Sequence, residues 1–339
     1  MQVGQHEAGH APLEGGSRPP LAAAPLRRAL AWAALALLLQ LAGCDKGAGD
    51  GPRGSDATPA SAAQTGAPVP ASAPVAVGAA AASAPISAPA STQAGPPPDY
   101  RLVWADEFDV PGLPDPARWA YDTVANKTGW YNNELQYYAR ERAENAVVSG
   151  GTLRITARLE SLKSASDWGG QRYTSARLLT QGKASWTYGF IEVRAKMPCG
   201  RGTWPALWTM GVGGAWPDDG EVDIVEHVGR DPTRVAGTVH TLQSGGVGTG
   251  AATQAADACT AFHNYQMHWT ADRITLGMDG VPYYTYTNPR GGKSLWPFDA
   301  PQFLLMNIAI GGTLGGPVDD SIFPVTMEID HVRVWQAPP

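Results

Sequence analysis

The chain has 339 residues and a formal net charge of −6, long enough for one large domain or two ordinary ones. Of its 29 aromatic residues only Trp32 lies before residue 99, so the bulky side chains that offset chain entropy sit in residues 99–339. That segment carries 20 basic against 26 acidic side chains, and without the basic face that phosphate contact needs, nucleic acid is excluded as the expected partner. Charged residues at 17% with 40 glycines exclude a coiled coil or helical bundle.

Arg27 and Arg28 precede an apolar run over 29–39, followed by Gln40-Leu41-Ala42-Gly43-Cys44. A basic start, a short apolar stretch and small residues before a cut site make a secretion signal. Leu41-Ala42-Gly43-Cys44 also resembles the bacterial lipobox, whose Cys becomes the lipid-bearing first residue of the mature chain. Residues 1–44 are therefore expected to be a signal peptide with lipidation at Cys44. The alternative is an ordinary signal, or a short anchor, that ends in Cys. Acyl chains would hold the protein on a membrane without a spanning helix. The expected location is the bacterial cell envelope, facing the periplasm or the cell surface. From 45 to 98, 43 of 54 residues are Ala, Gly, Pro, Ser or Thr and none is aromatic. Nothing there packs, and the scattered prolines favour extended chain, so this segment is expected to be a disordered tether. No stretch beyond the leader is apolar enough to cross a bilayer.

Within 99–339 helical periodicity is nearly absent, and short strands with turn punctuation recur. In chain order, strands are predicted over 153–159, 190–196, 221–228, 234–242, 265–270, 273–278, 283–287, 303–310 and 327–335. Asp279-Gly280 is a hairpin signal between two of them. Met327 and Ile329 share one parity while Val332 and Val334 share the other, which predicts an irregularity near Asp330-His331. Many strands in about 240 residues point to an all-β sandwich or barrel. If Cys44 carries lipid, Cys199 and Cys259 remain, and an even pair in an exported domain predicts a disulfide; two free buried thiols are the alternative.

The sharpest feature is Gly220-Glu221-Val222-Asp223-Ile224-Val225-Glu226-His227. On a strand, Glu221 and Asp223 share one face and Val222 and Ile224 the other. Glu226 has the wrong parity, and one extra residue at Ile224-Val225, a β-bulge, would return it to the acidic face. Glycoside cleavage with retention uses two carboxyls about 5–5.5 Å apart, one attacking the anomeric carbon and one protonating the leaving oxygen. Three acids this close share protons, and the raised pKa should belong to the acid. Two other readings compete. A solvated strand face disfavours three acids. A divalent metal site for phosphate chemistry would need basic residues nearby, and none clusters there.

Several runs extend this motif: Trp104-Ala105-Asp106-Glu107-Phe108, Trp130-Tyr131-Asn132-Asn133-Glu134-Leu135-Gln136-Tyr137-Tyr138 and Gly202-Thr203-Trp204-Pro205-Ala206-Leu207-Trp208. Others are Trp296-Pro297-Phe298-Asp299, Asn307 with Gly311-Gly312, and Val332-Arg333-Val334-Trp335. Together they make residues 99–336 resemble glycoside hydrolase family 16, and within it the bacterial laminarinases. The resemblance implies a β-jelly-roll sandwich of two antiparallel sheets with a concave substrate cleft, spanning 99–339. It implies a retaining endo-1,3-β-glucanase with Glu221 as nucleophile, Glu226 as acid/base and Asp223 tuning both. The inserted Val225 resembles the bulged subgroup (laminarinases, agarases, carrageenases) rather than the lichenases. Asn132, Arg177, Trp204, Trp208, His240 and Asn307 fall where family members contact sugar. Flat indoles suit pyranose faces, although core packing is the other reading of both Trp residues. Glu107, Gly151 and Asp330 lie where family members often carry a structural calcium; whether this chain holds one stays open, since some ligands are backbone oxygens. No cofactor is expected for catalysis, and a monomer is expected. After Gly311-Gly312 the chain reads Thr313-Leu314, where many laminarinases place Trp, which leaves linkage preference open. A transglycosylase, a hydrolase of another β-glucan or galactan, and a non-catalytic glycan-binding jelly-roll are the alternatives.

Overall fold

The computed structural model describes residues 95–339. The expected signal peptide, Cys44 and nearly all of the expected tether lie outside the described residues. The described chain forms seventeen strands and almost no helix. In order they are β1 Arg101–Asp106, β2 Ala120–Tyr121, β3 Gln136–Tyr138, β4 Ala146–Ser149, β5 Thr152–Leu159, β6 Tyr173–Ser175, β7 Arg177–Leu179, β8 Gly189–Lys196 and β9 Thr203–Gly211. They continue with β10 Glu221–His227, β11 Arg234–His240, β12 Thr249–Gln254, β13 His263–Trp269, β14 Arg273–Met278, β15 Val281–Thr287, β16 Gln302–Ile310 and β17 Val325–Gln336. A short α-helix, α1 Gly312–Gly315, follows β16.

The strands make two sheets. A seven-stranded sheet has the order β12-β11-β10-β9-β16-β7-β2, and a ten-stranded one runs β15-β14-β13-β8-β17-β5-β6-β3 with β1 on β17 and β4 on β5. Pairing is antiparallel except between β3 and β6, which run parallel. One core joins the inner faces: Leu207, Val222, Ile224, Met306 and Ile308 of the first sheet pack with Ile155, Ile191, Val193, Met267 and Val332 of the second. This is the expected two-sheet sandwich.

Each predicted strand is present. Asp279-Gly280 turns the β14–β15 hairpin with φ of 51° and 78°, the left-handed values that such tight turns require. The parity switch in β17 is real: Ile329 faces Ala195 and His331 faces Arg194, with Asp330 as the extra residue. Met327, Ile329, Val332 and Val334 all reach the core as a result. Cys199 and Cys259 form a disulfide, with a Cα separation of 5.8 Å across 60 residues of sequence.

The bulge in β10 is the feature that builds the site. Asp223 faces Thr238 and Glu226 faces Ala236, so Ile224 and Val225 together stand opposite the single residue Gly237. Both apolar residues are fully buried. The Tyr283 hydroxyl donates to the Ile224 carbonyl at 3.0 Å, satisfying a group that the bulge takes out of the ladder. Gly237 leaves room for that contact: a Cβ there would meet Leu276 Cδ1 and the Tyr283 hydroxyl, both at 2.5 Å. We expect Gly237→Ala to lower the unfolding free energy by about 1–3 kcal/mol through overpacking, read from the urea midpoint at unchanged slope.

Candidate active site

Register places the polar side chains of the seven-stranded sheet in rows. Arg177 faces Asn307, Asn307 faces Ala206, and Ala206 faces Glu226. The next row holds Trp208 and Asp223, and a third holds Met210, Glu221 and His240. Directly opposed residues share a face. The bulge thus sets Glu226 on the same face as Glu221 and Asp223, and Ala206 keeps the floor beside it low. Of the expected residues, Glu221, Asp223, Glu226, Arg177, Trp204, Trp208, His240 and Asn307 come together here.

His240 bridges the acids. Its Nε2 lies 3.0 Å from Asp223 Oδ2 and 3.9 Å from Glu221 Oε1. Its Nδ1 lies 2.9 Å from the Gly246 carbonyl, which only accepts, so Nδ1 carries a proton. One further proton lies between Nε2 and Asp223. The Asp223–His240 pair is therefore net neutral whichever atom holds it. Burial alone would lower the His240 pKa; the Asp223 hydrogen bond and the charges of Asp223 and Glu221 outweigh it and push it up to about 9. Asp223 is only 4% exposed, and burial with the two neighbouring glutamates raises its pKa well above the usual carboxylate range.

The two glutamates differ in surroundings. Burial raises Glu221, with the His240 charge opposing, Glu226 repulsion adding, and a hydrogen bond from Trp216 lowering it. Burial also raises Glu226, opposed by a hydrogen bond from Trp204 and weaker help from His240 and Thr238. Trp204 Nε1 donates to Glu226 Oε1 at 3.1 Å, and the Thr238 hydroxyl lies 3.5 Å from Oε2. Glu221 thus has the His240 imidazole close by at 3.9 Å, and Glu226 has only neutral donors within hydrogen-bond reach.

Around the acids, Trp208 Nε1 donates to Asn307 Oδ1 at 2.8 Å, and Asn307 Nδ2 donates to the Tyr138 hydroxyl at 3.0 Å. The Arg177 guanidinium lies over the Trp208 ring at 4.6 Å and pairs with Asp122 at 3.3 Å. Trp208 keeps part of its indole accessible, whereas Trp204 is only 8% exposed and acts mainly through its N–H. Asn132 lies further out, in a 3-10 turn at Tyr131–Asn133. A Cβ on Gly312 would lie 2.9 Å from its carbonyl oxygen and 3.4 Å from the Trp204 ring.

Sequence reasoning missed Trp216. It is 52% exposed, its ring centroid is 6.4 Å from that of His240, and its indole lowers the Glu221 pKa. It also missed Glu134, whose carboxyl burial pushes up despite Gln136, Arg177 and Asn132. Both sit in irregular segments without periodicity; the exposed tryptophan beside the acidic strand was the available signal.

The expected calcium positions fit a cation poorly through their side chains. The Glu107 carboxylate is held by both arms of Arg333 at 2.7 and 2.8 Å. Asp330 pairs with Arg194 at 3.2 Å and His331 at 3.1 Å. Neither belongs to a cluster of three His, Cys, Asp or Glu donors among the described residues. Glu221, Asp223 and His240 do offer atoms within 4.8 Å of one another, but the His240 nitrogen facing that cluster shares a proton with Asp223.

A sandwich whose bulged strand sets two differently solvated glutamates beside an acid–imidazole pair defines a carboxylate-based glycoside hydrolase. Residues 133–332 match the family described as glycosyl hydrolases family 16. A beta-glucanase of Rhodothermus marinus is 48% identical over 254 residues, covering 70% of this chain and 86% of that protein. Among solved structures, a non-specific endo-beta-1,3(4)-glucanase of family 16 is 51% identical with a TM-score of 0.70, covering 71% of this chain and 96% of the other. The laminarinase of Rhodothermus marinus is 48% identical with a TM-score of 0.66, covering 72% and 99%. The chain belongs to glycosyl hydrolases family 16.

The Trp204 hydrogen bond holds the Glu226 pKa down, so losing it raises that pKa. We expect Trp204→Phe to move the alkaline limb of the kcat/KM profile to higher pH, with lower kcat/KM at the optimum. An unmoved limb would show that Trp204 does not set the acid.

Proposed function

We propose that this chain is a retaining endo-β-glucanase that hydrolyses 1,3-β-linked glucan by double displacement. The observation that carries this reading is the bulged β10, which presents Glu221 and Glu226 on one face with only one of them beside a cation. Because the Asp223–His240 pair is net neutral, the local charge is decided by the two glutamates. Mutual repulsion favours one proton shared between them. His240 draws the negative charge to Glu221, so Glu226 keeps the proton.

Glu221 then attacks the anomeric carbon as a carboxylate while Glu226 donates its proton to the leaving oxygen. This forms a glycosyl ester on Glu221. Glu226, now ionised, accepts a proton from water as that water attacks the anomeric carbon and releases Glu221. The same pair performs both halves, and no cofactor is called upon. Asp223 and His240 adjust how far each carboxyl is charged. Trp208, Trp216 and Asn307 line the face where a pyranose would lie. The names of the relatives, a beta-glucanase, a laminarinase and an endo-beta-1,3(4)-glucanase, support β-glucan as the substrate class.

We propose further that the protein is exported and lipid-anchored through Cys44, as a monomer. The Leu41-Ala42-Gly43-Cys44 run supports the anchor, and the disulfide suits an oxidising compartment. Labelled palmitate incorporated by the natural chain and lost in Cys44→Ala is the expected result.

We expect Glu221→Ala to lower kcat on laminarin by at least about 10³-fold with the fold retained. Glu226→Ala should fail on laminarin yet still form the glycosyl ester from an aryl glycoside whose leaving group needs no acid. Near-natural hydrolysis by Glu221→Ala would end the assignment. Product profiles on laminarin, lichenan and curdlan test the linkage.

A further inference from the structure

We propose that Cys199, Cys259 and His227 form, in the dithiol state of the chain, a three-donor site for a thiophilic divalent cation such as Zn²⁺, which the disulfide masks. The two sulfurs and one ring nitrogen of His227 lie within 4.8 Å of one another. Bond lengths of about 2.3 Å to sulfur and 2.0–2.1 Å to nitrogen place donor atoms of a tetrahedral ion roughly 3.5–3.8 Å apart. The cluster therefore needs the sulfurs to rotate away from each other, while the backbone spacing of 5.8 Å between Cα atoms is already set.

The imidazole is prepared as a ligand. His227 is fully buried, and its Nε2 lies 2.9 Å from the Pro232 carbonyl. That carbonyl only accepts, so Nε2 carries the ring proton and Nδ1 carries the lone pair. Nδ1 is buried without any hydrogen-bond partner. A backbone carbonyl holding the second ring nitrogen is the usual support of a metal-bound histidine. Cys199 and Cys259 are partly accessible, which gives a reductant and an ion a way in. The catalytic reading uses none of these three side chains, although His227 follows Glu226 on β10.

Opening the site is a two-electron reduction. A trialkylphosphine attacks one sulfur, the S–S bond breaks, and water converts the phosphonium to phosphine oxide. The disulfide gains two electrons and two protons as two thiols. Binding of the cation then releases the thiol protons to solvent.

The test uses the whole chain, reduced with a trialkylphosphine under anaerobic conditions, with Cd²⁺ and Zn²⁺ as probes. Reduced protein should bind one Cd²⁺ per chain with an ultraviolet thiolate-to-metal charge-transfer band. Zn²⁺ should compete for it and raise Tm above that of the reduced, metal-free chain. Oxidised protein and Cys199→Ser/Cys259→Ser should show neither effect. His227→Asn, checked for folding by near-ultraviolet circular dichroism, should weaken Cd²⁺ binding at least tenfold. X-ray absorption of the reduced natural chain loaded with Zn²⁺ gives the donor set without any variant, and two sulfurs with one nitrogen are expected. No charge-transfer band in the reduced natural chain, full affinity in a folded His227→Asn, or a zinc shell lacking either sulfur or nitrogen would overturn the proposal.

Discussion

The site depends on one irregular contact, the stretch of β10 where Ile224 and Val225 stand opposite Gly237. A regular ladder would turn Glu226 inward, among side chains such as Val222 and Ile224. An unpaired carboxyl there would protonate or unfold the strand, since burying a lone charge costs several kcal/mol. The extra residue reverses the problem. Ile224 and Val225 both enter the core, and the carboxyl emerges on the open face. The irregularity is then secured from the second sheet, where Tyr283 caps the Ile224 carbonyl. The placement of Glu226 is in this sense a packing property: it requires two aliphatic side chains, a glycine and a phenol that lie behind it.

Electrostatics follow from the same arrangement. Three carboxyls on one face would repel strongly if all were charged. The fold relieves this repulsion with a side chain of its own. It supplies His240, held by a backbone carbonyl on one side and Asp223 on the other. Because that pair sums to zero charge, it leaves a single decision, which glutamate is ionised. The placement of His240 nearer Glu221 makes it. Burial supplies the amplitude: all three acids are pushed upward from the usual carboxylate range.

How much of this was legible in the sequence depends on periodicity. The β10 bulge could be read because Glu226 breaks a strict alternation of acids and aliphatics. The β17 irregularity could be read because Met327 and Ile329 differ in parity from Val332 and Val334. Strand β9 was not read as a strand, although it is central. Pro205 lies within it, and proline argues against an interior strand. The conflict dissolves in the structure, because Pro205 faces Ile308 of β16 beyond the last residue at which β9 pairs with β10. The parallel β3–β6 pair was invisible for a different reason. Both strands have three residues, too short for any period to register. Glu107 illustrates a third limit: the sequence gives no sign that Arg333, 226 residues away, spans its carboxylate.

The division between strands and loops explains why the chemistry was readable and the linkage was not. Glu221, Asp223, Glu226, His240 and Asn307 stand on strands, where register fixes each side chain relative to the next. Trp216, Tyr131, Thr313 and Leu314 stand outside the strands, in turns, loops and the helical turn that follows β16. Tyr131 is 75% exposed and Leu314 39%, so neither is fixed by the core. Loops of this kind vary without disturbing the ladder. Segments of this kind can reshape a binding surface while the strands beneath them stay fixed. The bulged strand fixes which bond can be broken in chemical terms, while the loops choose among glucans that all offer such a bond. Change confined to the 313–314 pair would therefore leave the proton arithmetic of β10 untouched, whereas Trp216 also bears on the Glu221 carboxyl.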